Sequence, residues 1–397
     1  MPASKSLGGS EHTSALQTFV FSDVHTDFTA GILVQFAERI AARGHRVIFL
    51  HPEPSGSRAL IDRFTSFGAE AYVVPTLSGR SPWAVARGME NVLDAIDVAN
   101  PILIACESVP MRGQAMLGRR RRWRTVFHML NLRNGIDART YLRERIDARL
   151  VRRSGGIVLG CSRSICEHWT ERVELDPNRV AYFPNWIDLA RFAPGRPGQA
   201  VQPDAFDPAC LPTICCVAGF SPVKQHDLLI RAIARLRSEG LDLRVLMVGG
   251  ADRPATQAYF GRCQALAASL AVADRVRFLG ARGDVPELLR QSDMFVLPSR
   301  QEGLACALLE AMATALPVIA AGIHASCEVI AHGENGFLFS PRSEQDLAAT
   351  IRHVVGLPAT ERRQIGEFAR RTVSRRYVWE TAFSGIVSFL DRHGIQV

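Results

Sequence analysis

The feature that most constrains this chain is an alternation that it runs through twice. Short β-branched or apolar runs recur from the start: TFVFS (18–22), RVIFL (46–50), AYVVP (71–75), PILIA (101–105), RTVFH (124–128), GIVLG (156–160) and VAYFP (180–184). Longer stretches lie between them, and the first of these, GILVQFAERIAARG, has helical periodicity. A strand apolar along its whole length must be covered on both faces, and a helix between strands makes a parallel crossover. The pattern predicts an α/β fold, a doubly wound parallel sheet with helices on both sides. FAPGRPGQAVQPDAFDPACLP (192–212) then breaks it, rich in Pro and Gly and without period, as a linker does. After it the alternation restarts: TICCVAG, KQHDLLIRAIARLRSEG, RVLMVGG, a helix near 255–270, RVRFLG, DVPELLRQS, DMFVLPS and LPVIAAG, with a mostly helical tail beyond about 343. With 397 residues, more than one core usually organises, two domains are expected, 1–193 and 212–377, joined by a linker at 194–211. Open α/β sheets bind ligands at the carboxyl ends of their strands, so two such sheets facing one another predict a ligand cleft between them.

Composition narrows the function classes. A hydrophobic fraction of 47% with 22% charged residues is that of a folded soluble protein. No apolar run is long enough to span a bilayer and the first residues lack a secretory signal pattern, so a cytoplasmic protein is expected. Nine cysteines, odd in number and including the adjacent Cys215 and Cys216, suggest reduced core residues rather than a disulfide framework. There is no Cys-x-x-Cys and no histidine pair at zinc-ligand spacing. A net charge of +8 suits anionic partners. Arginine supplies 45 of the 47 basic residues (47 − 2), leaving Lys5 and Lys224 as the lysines. These arginines are not interleaved with aromatics, so nucleic acid is not an expected partner. Positive charge concentrates in GRRRRWRTVFH (118–128) and ARTYLRERIDARLVRRSGG (138–156). Tyr141, Leu142, Ile146, Leu150 and Val151 give the latter an apolar stripe opposite its arginines. Two readings stand: a helix lying on anionic lipid in peripheral membrane contact, or a surface helix packed by that stripe.

EGLACALLE (302–310) sets a carboxylate at each end of a small, apolar run. DMFVLPS reads as a buried strand and LACALLEAMATA favours helix, so Glu302 and Gly303 fall in the strand-to-helix turn. Gly303 permits close backbone approach, and the amides from Leu304 onward form the partly positive end of a helix, a seat for phosphate. Glu310 lies among Leu308, Leu309, Ala311 and Met312, where a carboxylate is unfavourable unless hydrogen-bonded, as by the vicinal hydroxyls of a ribose. By spacing alone the alternative stands too: Glu310 as the polar stripe of a half-exposed helix, Glu302 as a solvated turn residue.

The 43-residue stretch LPSRQEGLACALLEAMATALPVIAAGIHASCEVIAHGENGFLF (297–339) resembles the donor-site signature of the retaining glycosyltransferases of family four, including two glutamates separated by seven residues. GFSPVKQHDLLIRAIARL resembles the family's strand-turn-helix with the diphosphate-binding lysine, FPNWIDLARFAPG the segment leading into the interdomain linker, and ILVQFAERIAARGHRVIFL the first helix and second strand. RYVWETAFSGIVSFLDRHG is similar to the last helix, about 378–397, which in the family packs back on the N-terminal half. The resemblance implies the GT-B fold, two facing Rossmann-like domains, with the acceptor bound by 1–193 and a nucleotide diphosphate-sugar by 212–377.

Carried over by resemblance, Glu302 contacts the donor sugar near the reacting carbon and Glu310 holds the ribose, while Gly303 and Leu304 offer amides to sugar and phosphate. Lys224 neutralises the leaving diphosphate, the largest electrostatic demand of the reaction. His128 contacts the sugar, Gly31 lets the diphosphate approach, and Arg282 lies near the base. The sequence also departs from the family. Gly219 stands where an arginine is common, with Arg300 and Arg282 as substitutes; the first loop has one glycine rather than two; Trp186 replaces a usual glycine. No Asp-x-Asp occurs, so neither a metal nor a cofactor is expected. The implied activity is retaining transfer of a sugar to a hydroxyl acceptor that is a glycan, a small molecule or lipid-linked. The alternatives are a nucleotide-sugar epimerase or hydrolase on the same fold, and a non-catalytic nucleotide-sugar binder.

Overall fold

The computed structural model describes residues 16–22, 29–52, 58–79, 81–106, 108–130, 138–195 and 211–397. Residues 196–210 of the expected linker lie outside them. Seven strands form one sheet: β1 (Thr18–Ser22), β2 (Arg46–His51), β3 (Glu70–Val73), β4 (Ile102–Cys106), β5 (Arg124–Met129), β6 (Ile157–Gly160) and β7 (Val180–Tyr182), in the order β3-β2-β1-β4-β5-β6-β7. From β3 to β5 the pairing is parallel, with Phe19 opposite Val47 and Ile102. Six more strands form a wholly parallel sheet: β8 (Thr213–Val217), β9 (Arg244–Val248), β10 (Val276–Gly280), β11 (Met294–Leu297), β12 (Val318–Ala321) and β13 (Phe337–Phe339), in the order β10-β9-β8-β11-β12-β13. Both are the helix-covered parallel sheets that the alternation predicts. Over the described residues, contacts divide the chain into two compact units. The first takes 1–128, 141–158 and 386–397, and the second 129–140 and 159–385.

The central strands are buried along most of their length because both faces carry helices, while the edge strands β3 and β10 are partly exposed. Phe19, Val20 and Phe21 of β1 are fully buried, as are Ile214, Cys215 and Cys216 of β8. The adjacent cysteines are thus free core residues, and burial pushes the Cys216 thiol up to about 12. Cys327, by contrast, is exposed.

Three local expectations change. The arginine-rich helix Ala138–Ser154 does not pack by its whole apolar stripe: it buries Val151, Ala148, Glu144 and Asp147, while Leu142 is 61% and Ile146 44% exposed. Asp147 draws its face inward by pairing with Arg112 at 2.5 Å. The last helix is two short ones, Trp379–Ser384 and Val387–Arg392, interrupted at Gly385 and Ile386. Residues 386–397 fall within the first unit and 378–385 within the second; in the first, Gln17 donates to the Gly394 carbonyl and accepts from the Gln396 amide. Finally β13, a three-residue strand, was hidden inside the signature stretch because so short a run carries no period.

The helix Ala359–Arg376 packs against the helix Cys306–Ala313 by backbone approach. A Cβ on Gly366 would lie 1.9 Å from the Ala315 carbonyl oxygen, and Arg370 donates to the carbonyls of Ala313, Phe192 and Leu189. Gly366→Ala is therefore expected to destabilise the protein by about 2 kcal/mol or more, because backbone on backbone leaves no side chain to yield. Gly261→Ala, mid-helix with open space around it, should instead stabilise by about 0.5–1 kcal/mol. Urea midpoints of the two variants check both signs.

Candidate functional site

The strand order of the second sheet reverses between β8 and β11, which are paired neighbours. Loops leaving the carboxyl ends of two such strands diverge, and the opening between them is where open α/β sheets take ligands. Lys224 lies on the loop after β8 and Glu302 on the loop after β11.

The first loop is shaped by backbone contact and one ring stack. A Cβ on Gly249 would fall 1.9 Å from the Ala218 carbonyl oxygen, so the 218–220 and 249–250 turns touch, and the Phe220 amide donates to the Gly250 carbonyl at 2.9 Å. His226 stacks on Phe220 with ring centroids 4.1 Å apart, and its Nε2 lies 3.2 Å from the Ala218 carbonyl. Burial lowers its pKa to about 4, so the ring is neutral and Nε2–H donates to that carbonyl. Gln225, in the left-handed region at φ 51°, turns the chain into the helix His226–Ser238. The Arg300 amide donates to the Val223 carbonyl at 2.9 Å and joins the two loops beside Lys224. Sequence reasoning missed His226, whose one visible signal is its place two residues after the lysine.

Across that junction Lys224 Nζ donates to both carboxylate oxygens of Glu302, each at 2.7 Å. The lysine side chain is 28% exposed and the glutamate 6%. In such partial burial each charge depends on the other, since either one alone would be left desolvated. Gly303 follows, and a Cβ there would lie 1.7 Å from the Leu130 carbonyl oxygen and 2.9 Å from Cys161 Sγ. The close approach that glycine permits is thus first to the protein's own backbone. Leu304 is buried, and its carbonyl accepts from Asn185 Nδ2 at 2.7 Å. The helix Cys306–Ala313 begins two residues later than the sequence predicts, and Ala305 at its N-cap position supplies no side-chain acceptor to the first-turn amides.

Glu310 sits half-buried in that helix. Burial pushes its carboxyl up to about 7, and the Arg191 guanidinium opposes the shift. Arg282 lies in an exposed loop and pairs with Asp284 at 2.6 Å, holding that carboxyl below its usual range. Gly219 has room for a side chain, the nearest atom to a Cβ being the Gly250 carbonyl oxygen at 3.8 Å. Trp186 is buried, its ring 5.3 Å from Phe183 and 4.9 Å from Trp379, so the residue replacing the usual glycine is a core aromatic. The second unit thus gathers Lys224, Glu302, Gly303 and Leu304, with Glu310 one helix turn beyond the first. His128, buried in β5 opposite Cys106, and Gly31, third residue of the helix Thr29–Ala41, belong to the first unit. Among the described residues no group of three or more His, Cys, Asp or Glu is placed to hold a metal ion, and no helix is long and apolar enough to cross a membrane.

Residues 208–372 match the family described as glycosyl transferases group 1, and residues 32–191 match glycosyltransferase family 4. The chain is 31% identical over 216 residues to D-inositol 3-phosphate glycosyltransferase of Rhodococcus opacus, covering 53% of this chain and 48% of that protein. It is 27% identical over 220 residues to the GDP-mannose-dependent alpha-(1-6)-phosphatidylinositol monomannoside mannosyltransferase of Mycobacterium tuberculosis, covering 53% and 55%. The match thus spans about half the length of these curated relatives. Among solved structures, Anabaena HepE in complex with UDP and glucose superposes with a TM-score of 0.81 at 20% identity, over 95% of this chain and 100% of that one. That likeness agrees with the two parallel sheets in assigning the GT-B fold of two Rossmann-like domains. The switch-point loops, the two family matches and this fold agree: the chain belongs to glycosyltransferase family 4.

Proposed function

We propose that this protein is a retaining glycosyltransferase that moves a sugar from a nucleotide diphosphate-sugar to a hydroxyl acceptor. One observation carries the reading: a lysine and a glutamate from the two loops flanking the switch point meet at 2.7 Å beside an uncapped helix start. An anion entering there meets an ammonium and first-turn amides, the equipment that phosphate needs. Binding a diphosphate at Lys224 displaces Glu302 from the ammonium and leaves its acceptor oxygens for sugar hydroxyls. As the bond from the anomeric carbon to the phosphate oxygen breaks, Lys224 and these amides take up the charge, with no metal required in this reading. The acceptor oxygen bonds to the anomeric carbon on the face the diphosphate leaves, and the acceptor's proton departs with the diphosphate. Glu310 holds the ribose. Contacts of His128 and Gly31 with the donor, and of Arg282 with the base, rest on the family resemblance alone. One relative is a GDP-mannose-dependent enzyme and HepE was solved with UDP, so GDP- and UDP-sugars are the first donor classes to test.

Peripheral contact with an anionic membrane belongs to the same reading. Its support is the helix Ala138–Ser154, which exposes Leu142 and Ile146 between the exposed Arg143, Arg145 and Arg149. Apolar anchors flanked by cations suit a lipid surface carrying negative charge.

Glu302→Gln should lower turnover with UDP-, GDP- or ADP-sugars by about a hundredfold or more while nucleotide affinity holds or tightens, because Lys224 no longer has to leave a carboxylate. Acceptor-independent release of free sugar would favour the hydrolase reading, and nucleotide binding with no turnover in the wild type the non-catalytic one. Glu310 gives a pH signature. Its raised carboxyl keeps a proton in the folded state that the unfolded chain loses from about 4.5, so its contribution to stability is full below that and lost as pH rises toward about 7. Ribose hydroxyls donate best to the carboxylate, so nucleotide affinity should rise by about tenfold between pH 6 and 8. Glu310→Gln should flatten that slope in calorimetric titrations. In liposome sedimentation, vesicles with anionic lipid should pellet the protein in a salt-sensitive way, and Leu142→Ser with Ile146→Ser should abolish it.

A further inference from the structure

A cavity of about 450 Å³ lies between the helix Ala359–Arg376 and the segment 327–335, and none of its lining residues belongs to the switch-point loops. Its helix wall is one face: Phe368, Arg371, Thr372 and Arg375 stack on successive turns, while Ile365, Ala369 and Val373 of the same helix are buried. Its opposite wall is fixed by Asn335, which is buried and fully engaged. Its Nδ2 donates to the Val329 carbonyl at 3.1 Å and to Thr372 Oγ1 at 3.0 Å, and its Oδ1 accepts from the Ala331 amide at 2.8 Å.

The charges in this cavity are unevenly matched. The Arg371 guanidinium lies 4.1 Å over the ring of Phe368, which is 52% exposed. Stacking fixes the plane of a guanidinium and leaves the N–H groups on its edge available. Among the described residues neither Arg371 nor Arg375 is paired with a carboxylate. Glu328 faces the same cavity, but its two oxygens accept from the Arg163 and Ser164 amides at 3.0 Å each. Its charge is therefore committed elsewhere, and exposed Glu334 at the rim is the one remaining acid of the lining.

We propose that this cavity binds a soluble organic phosphate ester, its phosphoryl group on Arg371 and Arg375 and its body along Phe368. Two guanidinium edges on one helix face suit bidentate recognition of a phosphoryl group. The volume is in the range of small-molecule pockets and exceeds a bare phosphate, which leaves room for an organic body beside the two arginines. This site is distinct from the donor site and does not depend on the reading given above.

Cys327 is an exposed free thiol on the cavity lining and reports occupancy without an activity assay. The full-length protein is labelled with N-ethylmaleimide at matched ionic strength, and the Cys327 peptide is followed by mass spectrometry with inorganic phosphate, with phenyl phosphate and with chloride alone. Phenyl phosphate at twice its Kd should slow labelling by about threefold, with inorganic phosphate weaker. The protection should persist in Lys224→Ala and vanish in Arg371→Ala and in Arg375→Ala, whose folding circular dichroism checks. Phe368→Ala should weaken phenyl phosphate more than inorganic phosphate. The proposal is overturned by no protection in the wild type, by protection lost in Lys224→Ala, or by protection kept in both folded arginine variants. Protection only by phosphatidic acid vesicles, with neither soluble phosphate effective, overturns it as well. Should an arginine variant not fold, the comparison of wild type with Lys224→Ala still decides.

Discussion

The contact of Lys224 with Glu302 is what the rest of the second unit is arranged around. Holding an ammonium against both oxygens of a nearly buried carboxylate requires two loops from neighbouring strands to arrive at fixed heights. Each loop is held against its neighbour by backbone contact, and the lysine loop by the stack of His226 on Phe220 as well. Ala218 against Gly249 positions the lysine loop, and Leu130 against Gly303 positions the glutamate loop. Backbone contacts of this kind have no rotamers to adjust, so the pair stays preorganised in the absence of any ligand.

Preorganisation of this sort also means that the cation and the anion satisfy one another until a ligand intervenes. In the proposed reaction a diphosphate would offer Lys224 more negative charge than one carboxylate does, and sugar hydroxyls would offer Glu302 the donors that it gives up. An exchange of partners leaves no buried charge unpaired at its end, which is the condition a partly desolvated site must meet. Glu310 stands apart from this exchange: its helix supplies little hydrogen bonding, and burial raises its carboxyl to about 7. Its ionisation is therefore sensitive to what sits beside it, whereas the Lys224–Glu302 pair is held by mutual contact.

Much of this was legible in the sequence because the determinants are local. Strands buried on both faces read as continuous apolar runs, and TFVFS coincides with β1 from Thr18 to Ser22. Lys224 stood out against an arginine-dominated background, and the glutamates of EGLACALLE fell within one short segment. What the sequence hid is set by partners distant along the chain. Gly303 looked like an opening for a ligand, yet its missing side chain first makes way for Leu130. His226 and Trp186 are explained by rings that they meet only in the fold. The helix Ala138–Ser154 turned a face inward that its apolar stripe did not predict, because Asp147 found Arg112. Cys327 could not be told from the core cysteines by composition.

The central claim is that a sugar diphosphate occupies the switch point by taking Lys224 from Glu302. A crystal structure with a bound nucleotide diphosphate-sugar tests it most directly. The account predicts phosphate oxygens within hydrogen-bond reach of Lys224 Nζ and the amides after Gly303, with Glu302 turned to the sugar. A nucleotide bound elsewhere, with the lysine still on both oxygens of Glu302, would contradict it.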